Sequence, residues 1–515
     1  MLRLIKNEYI KLLRKGGFIA LSLIFLAATI LLPILGYVLS ENEEKINNKL
    51  SGFVNDSLIQ SEQQSGNIEY VKMLEFFNEE RISLYDEKDW RLFAGNVAFS
   101  STRKVTLTEE KSTDNETNYD IEGMEDDEIE DERFTPDFFG RFDIASLYTE
   151  VDSKALCKEI INEIKNKDLV AFKKTFNDTI YPAYKKLKKQ YGEDILIDPI
   201  VDKYETYHYA FDILDKNNIE PVSKDWSFDL AIEYGDAKVE TEHLKANYSK
   251  QTGMTDAELD KVLMDTEAGK KIQINEYRLE NNISEAISET PMGGYHSESD
   301  FFMNFMEYDM LITFAGLILF MVGIGIIAKE FNQGTIKFLL VNPVKRSSIF
   351  YSKVLTLISM LTIASLWIVV TQLLFNTAFY GSYPGGIAHI YMKNGSLVHE
   401  SGVLLIAKSY LNSYVGALML CLTAIFLSSL IRNSAFAAGI TLFAYLGEQI
   451  LRSFFTSKGF YLFQFSLFPN VDLLKISKGR TAYRIQNFTF SSIVLIVHAI
   501  IFIWAARDAF VKKDV

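Results

Sequence analysis

The chain has 515 residues, 48% of them hydrophobic and 23% charged, with a mean hydropathy of +0.05 and a formal net charge of −14. Residues 41–308 hold 31 Lys and Arg against 59 Asp and Glu, net −28, while the remainder holds 22 against 8, net +14. An acidic soluble block inside a basic, apolar chain excludes a wholly soluble enzyme, a wholly disordered chain and a nucleic-acid binder, whose folded part carries a basic face.

Residues 1–16 predict an amphipathic interfacial helix. Leu2, Ile5, Tyr9 and Leu12 fall on one face, with Arg3, Lys6, Lys11 and Arg14 for the headgroup side. Crossing roughly 30 Å of hydrocarbon takes about 20 apolar residues at 1.5 Å each, and six stretches meet or approach that length. The first is 17–39. Its Pro33 and Gly36 are tolerable because neighbouring helices re-satisfy freed backbone groups, and it is too long for a cleaved signal peptide.

The acidic block 41–308 follows, large enough to bury a core of its own. Its segments 154–167, 169–191 and 257–282 space apolar residues by three and four, so a mostly helical domain, α or α+β, is expected. Thr255 with Glu258 three positions later reads as a helix start. Segment 109–133 carries 13 acids and 2 bases and almost nothing apolar, which predicts a mobile loop. It lacks the Asp-x-Asp-x-Asp-Gly order of a calcium loop. No two of the six histidines stand three or four apart, as a zinc site on one helix face requires. Cys157 and Cys421 fall in different parts of the chain and cannot pair, so no disulfide scaffold is expected. There is no nucleophile elbow, zinc-protease motif or phosphate loop. No catalytic residue, metal site or cofactor is therefore expected in this chain.

The other spans are 310–328, Val354 to about Phe379, the stretch between Lys408 and Arg432, 434–451 and 488–506. Basic residues near helix ends are retained in the cytoplasm. The amino terminus, the segment 329–353 and the tail with Arg507, Lys512 and Lys513 collect them. Both termini are thus expected in the cytoplasm of a bacterium, with the acidic block outside. Residues 452–487 disagree, holding six Lys and Arg on the expected outer side; the apolar run 460–468 is too short to cross and reads as re-entrant or interfacial. Glu448 lies inside an apolar span, where an ionisable group is costly. Its expected partners are Arg452, one turn on, or Lys408 at the start of the fourth span.

The cytoplasmic segment KEFNQGTIKFLLVNPVKRSSIFYSK, residues 329–353, is the most specific feature. Gly334 and Pro343 bracket an apolar stretch that reads as a short helix along the membrane surface. The order Glu330, Gly334, Thr335, Pro343, Arg346, Lys353 resembles the coupling segment of ABC type-two exporter permeases. Lys345 departs from it, standing where those permeases usually have Ser or Thr. The amphipathic first helix, the six spans and the ending Phe510-Val511-Lys512-Lys513-Asp514-Val515 extend the resemblance to everything outside the acidic block.

What the resemblance implies is an α-helical polytopic permease with a large extracellular domain between spans one and two. It further implies a separate cytoplasmic ATPase subunit that binds ATP and Mg²⁺, and a second permease subunit, identical or related. Ile336, Phe338, Leu339 and Leu340 would dock in a groove of the ATPase, while Lys337, Lys345 and Arg346 face acids or lipid headgroups. The cargo expected is amphipathic or hydrophobic: a peptide antibiotic, a toxin or a lipid-like compound. The alternative is a sensor or scaffold in which the ATPase moves the outer domain without transport.

Overall fold

The computed structural model describes the chain except residues 66–67, 85, 87, 101–149, 192–198, 253, 290–294, 298, 333–343, 382–386, 394, 432–434, 441–447, 458, 482 and 513–515. It divides into two units, Met1–Ser40 with Glu285–Val515, and Glu41–Ser284. The elements in chain order are α1 (Leu2–Leu13), α2 (Gly16–Ser65), α3 (Ile68–Glu79), α4 (Trp90–Ser100), α5 (Glu150–Asn166), α6 (Leu169–Thr175) and α7 (Tyr181–Tyr191). Then come α8 (Pro199–Lys216), α9 (Trp226–Thr252), α10 (Asp256–Met264), α11 (Glu267–Glu280), β1 (Ala286–Glu289), β2 (Tyr295–Ser297), α12 (Asp300–Glu307) and α13 (Met310–Asn332). The last are α14 (Arg346–Phe379), β3 (Ala388–Lys393), β4 (Ser396–Ser401), α15 (Gly402–Leu430), α16 (Glu448–Ser457), α17 (Leu473–Ser477) and α18 (Phe488–Lys512).

The unit 41–284 is helical and built on an aromatic core. Trp90, Phe172, Phe176, Tyr207, Phe211 and Phe228 are all buried, and Phe93 stacks on Tyr207 with ring centroids 4.2 Å apart. Helices α8 and α9 touch at the backbone, since a Cβ on Gly235 would stand 2.2 Å from the Thr206 carbonyl oxygen. The helix expected over 257–282 is two. It breaks after Met264, where Thr266 caps α11 through Gly269 N at 3.2 Å. At the start of α10 the Glu258 carboxylate accepts from both Thr255 N and Oγ1, at 3.1 and 2.8 Å. The segment 109–133 lies outside the described residues. Cys157 and Cys421 are both buried free thiols.

Residues 285–308, expected in the acidic block, belong instead to the other unit. The reason is pairing and burial: β1 joins β3, and Phe301, Phe302 and Phe305 share a core with Leu311, Phe350 and Leu405. The four strands form one sheet in the order β2-β1-β3-β4, parallel between β1 and β3 and antiparallel elsewhere.

Among the described residues, five helical stretches are long and apolar enough to cross a membrane: Gly16–Leu39, Asp300–Ala328, Arg346–Phe379, Gly402–Leu430 and Phe488–Lys512. Of the expected span 434–451, residues 434 and 441–447 lie outside the described residues. Helices α13 and α15 approach most closely through small residues. A Cβ on Gly316 would meet the Ala417 Cβ at 2.6 Å, and Gly323 faces Ala424. Ser428 on α15 donates to the Ile324 carbonyl at 2.7 Å and accepts from Ala328 N at 3.1 Å. Without a hydrophobic drive between helices in lipid, such close packing and hydrogen bonding hold the pair.

Pro33 stands inside α2. Lacking an N–H, it frees the carbonyl four residues back, which is that of Thr29. Gln372 of α14, itself fully buried, donates to that carbonyl at 3.2 Å. Replacing Gln372 with Leu is expected to cost about 1–2 kcal/mol with Pro33 present. The cost should shrink in a Pro33→Ala background, where the helix supplies its own donor. Thermal unfolding of the four chains of this cycle in detergent checks it, and equal costs in both backgrounds would sink the account.

Candidate functional site

One end of the membrane unit is closed by α1. Of its expected apolar face, Leu12 is buried, Ile5 and Tyr9 are half-buried, and Leu2 is 83% exposed. The acid Glu8 takes the inward position, 5% exposed. Its Oε2 lies 3.1 Å from Nζ of Lys353, which is fully buried near the start of α14, and its Oε1 lies 3.0 Å from Lys11. Burial alone would raise the Glu8 carboxyl, but Lys353 and then Lys11 outweigh it and hold the group below its ordinary value. Tyr9 shares a hydrogen bond with Ser359 at 2.7 Å. Arg346, the first residue of α14, donates to the Val511 carbonyl near the end of α18 at 3.2 Å, and Phe350 packs on Phe510. Helix α1, the start of α14 and the end of α18 therefore form one joint.

Of the residues singled out in the coupling segment, Arg346 and Lys353 are in this joint, turned to other helices. Gly334, Thr335, Ile336, Phe338, Leu339 and Pro343 lie outside the described residues, as do the side chains of Glu330 and Glu448. Removing one partner of a buried pair strands the other charge, at about 3–5 kcal/mol. Lys353→Met is thus expected to lower the melting temperature sharply, and adding Glu8→Gln to recover much of the loss. A double variant no more stable than Lys353→Met alone would refute the pairing.

The opposite end of the bundle holds a second set of charges. His389 and Glu400 are cross-strand partners in β3 and β4, and Glu289 closes β1 opposite Tyr295. His389, fully buried, has Nδ1 2.9 Å from Glu400 and Nε2 3.7 Å from Glu289. Lys478 lies 2.6 Å from Glu289 Oε1 and over the Tyr295 ring at 4.1 Å, while Arg480 reaches Glu289 Oε2 at 2.7 Å. Lys408 pairs with Glu400 at 2.5 Å, and the side chain of Glu448, for which Lys408 is an expected partner, lies outside the described residues. The loop that carries Lys478 and Arg480 is itself anchored: buried Asn470 bonds Gln486 and Ser491 at 3.3 and 2.7 Å, and Asp472 bonds Asn412 at 3.3 Å. Three of its basic residues, Lys475, Lys478 and Arg480, are thus neutralised locally.

Sequence reading missed this cluster, although a signal was present. Asn394-Gly395 between two alternating runs, AHIYMK and SLVHES, is a hairpin signature, and Gly395 has φ +77°. Burial would raise Glu289, but His389, Lys478 and Arg480 overcome it and bring its carboxyl down to about 2. A carboxyl depressed from 4.5 contributes stability present above pH ~4.5 and lost as pH falls towards 2, about 3 kcal/mol in all. The sheet end is expected to loosen over that window. Glu289→Gln should lower stability at pH 7 and flatten its acid limb, as followed by thermal melts from pH 3 to 7.

Among the described residues no group of three or more His, Cys, Asp or Glu is placed to hold a metal ion; lysine and arginine already occupy the carboxylates at the sheet end. An apolar pocket of about 240 Å³ lies among α1, α2, α13 and α14, lined by Tyr9, Phe25, Leu319, Met360, Ile363 and Trp367 among others.

Membrane-length apolar helices, joined by small-residue packing and backbone-satisfying side chains, define a helical multi-pass membrane protein. Residues 281–515 match a family model described as Protein of unknown function (DUF2705), a match that begins four residues before the second part of the membrane unit. The chain is 31% identical over 246 residues to the uncharacterized protein YhcI of Bacillus subtilis (strain 168), covering 47% of this chain and 75% of that one. It is 33% identical over 197 residues to the uncharacterized membrane protein YdbK of the same organism, covering 37% and 73%. The chain belongs to this family of membrane proteins. No solved structure matches it.

Proposed function

We propose that the chain is the permease subunit of an ATP-driven exporter of the ABC type-two kind, moving an amphipathic or hydrophobic substrate outward. ATP and Mg²⁺ are held by a separate cytoplasmic ATPase subunit, and a second permease subunit completes the path. The observation that carries the reading is the buried Glu8–Lys353 pair. It fastens α1 to α14 just after the segment 329–345, and Arg346 fastens the same helix start to α18. A push on that segment is delivered to three helices at once, which is what coupling to an ATPase requires.

The helix directions support six crossings with both termini on one side. Both α15 and α18 begin at the sheet end, where Gly402 N bonds Ile387 O and Ser491 bonds Asn470. They run on together, with Phe426 stacked on Phe502 at 4.9 Å, so the chain returns to the sheet end between them. In this reading the joint at α1 is cytoplasmic, and the sheet end and the acidic block are outside, where a field of net −28 concentrates cations. The apolar pocket beside α2 suits a lipid-like or amphipathic cargo.

The test is purification of the tagged protein from its native host in mild detergent, with ATPase activity measured on what accompanies it. A nucleotide-binding protein should co-purify, and Glu330→Lys should reduce its retention and the ATPase rate about tenfold or more without changing the melting temperature. Absence of any ATPase under several mild detergents overturns the proposal.

A further inference from the structure

A second cavity, about 810 Å³ in volume and open to the surface, lies where the sheet meets the start of α18. Its charged lining residues are Lys393, from the end of β3, and Arg484, from the loop before α18. Among the described residues neither is paired with a carboxylate, and no acid lines the cavity. This sets it apart from the adjoining cluster, where Lys478, Arg480 and Lys408 are all matched by Glu289 and Glu400. Thr481 and Asn487 add hydrogen-bonding groups to the lining.

The other wall is apolar and continues along the helix. Phe488 and Ile493 line the cavity, at 53% and 55% exposure. Beyond them Ile496, Ile500 and Trp504 extend an exposed stripe down α18, at 58%, 61% and 63%. Because α18 is long and apolar enough to cross a membrane, its first turns stand at the level where headgroups give way to acyl chains. A cationic, hydroxyl-bearing recess opening onto an apolar stripe at that level is complementary to one kind of molecule: a phosphate-bearing headgroup with hydrocarbon attached. Basic pockets beside membrane helices bind anionic headgroups in this way, each cation contributing about fivefold in affinity.

We infer that this cavity binds an anionic phospholipid of the surrounding leaflet, its phosphate between Lys393 and Arg484 and its chains along Phe488, Ile493 and Ile496. The inference does not depend on the exporter reading and would hold for any activity of the chain.

The test uses the full chain purified in detergent and titrated with phosphatidylglycerol, phosphatidylcholine or inorganic phosphate, with bound lipid counted by native mass spectrometry. Phosphatidylglycerol should bind in preference to phosphatidylcholine. The double variant Lys393→Ala, Arg484→Ala should weaken that binding about 30-fold and leave phosphatidylcholine binding unchanged. The variant Lys393→Arg, Arg484→Lys, which keeps both charges, should retain it; this guards against a loss caused by misfolding. Binding of phosphatidylglycerol by the alanine variant as tight as by the parent chain overturns the inference. Competition by inorganic phosphate at the same concentration as the lipid overturns it too, since the site would then take a free anion.

Discussion

Gly316 and Gly323 stand seven residues apart on α13, opposite Ala417 and Ala424, seven apart on α15. That spacing is two helical turns, so the two contacts lie on one seam and bring the backbones together along it. Lipid offers no hydrophobic reason for two apolar helices to meet, and the seam must be held by contact and hydrogen bonds. Cys421 and Ser428 supply these from α15, to the carbonyls of Gly316 and Ile324. At the seam's upper end Asp309 accepts from Ser409 and Ser413. Helices α14 and α18 then pack on this pair as a fixed axis.

Both ends of that axis are finished with ion pairs where apolar side chains would have sufficed. Compared with well-packed apolar side chains of similar volume, a buried ion pair adds little net stability, because desolvation offsets most of the attraction. What it does supply is direction: Glu8 pairs with two lysines through separate oxygens, and Glu289 with Lys478 and Arg480 through separate oxygens. A helix shifted by one turn would strand these charges, whereas shifted leucines would find other leucines. The two ends are thus fixed in register while the lipid-facing sides of α2 and α18 remain plain hydrocarbon surfaces.

The apolar helices were legible because length and hydropathy alone define a crossing, and the helical membrane class follows from them. The cap at Thr255 was legible because its chemistry is local. Glu8 was not, because helical periodicity assigns an acid to the polar face unless its partner is known, and Lys353 is 345 positions away. The pairing of residues 475–480 was hidden for the same reason: counting basic residues takes no account of the acids beside them, Asp472 for Lys475 and Glu289 of β1 for Lys478 and Arg480. Residues 285–308 looked acidic and soluble by composition, yet strand pairing with β3 and three buried phenylalanines tie them to the membrane helices. His389 and Glu400 stood in a readable hairpin, but their meeting with Glu289 required a parallel strand that no local pattern announces.

The distance between Glu8 and Lys353 also sets a clock. A ribosome adding about 5–20 residues per second reaches Lys353 roughly 17–70 s after Glu8. For that interval the acid of the first helix lacks the partner that allows it to be buried. Lys11, one turn away on the same helix, is available from the beginning. During synthesis it can serve as an interim counter-ion for that acid. The final docking of that terminus then awaits the third apolar helix, so the joint closes only after the inserted unit has been made.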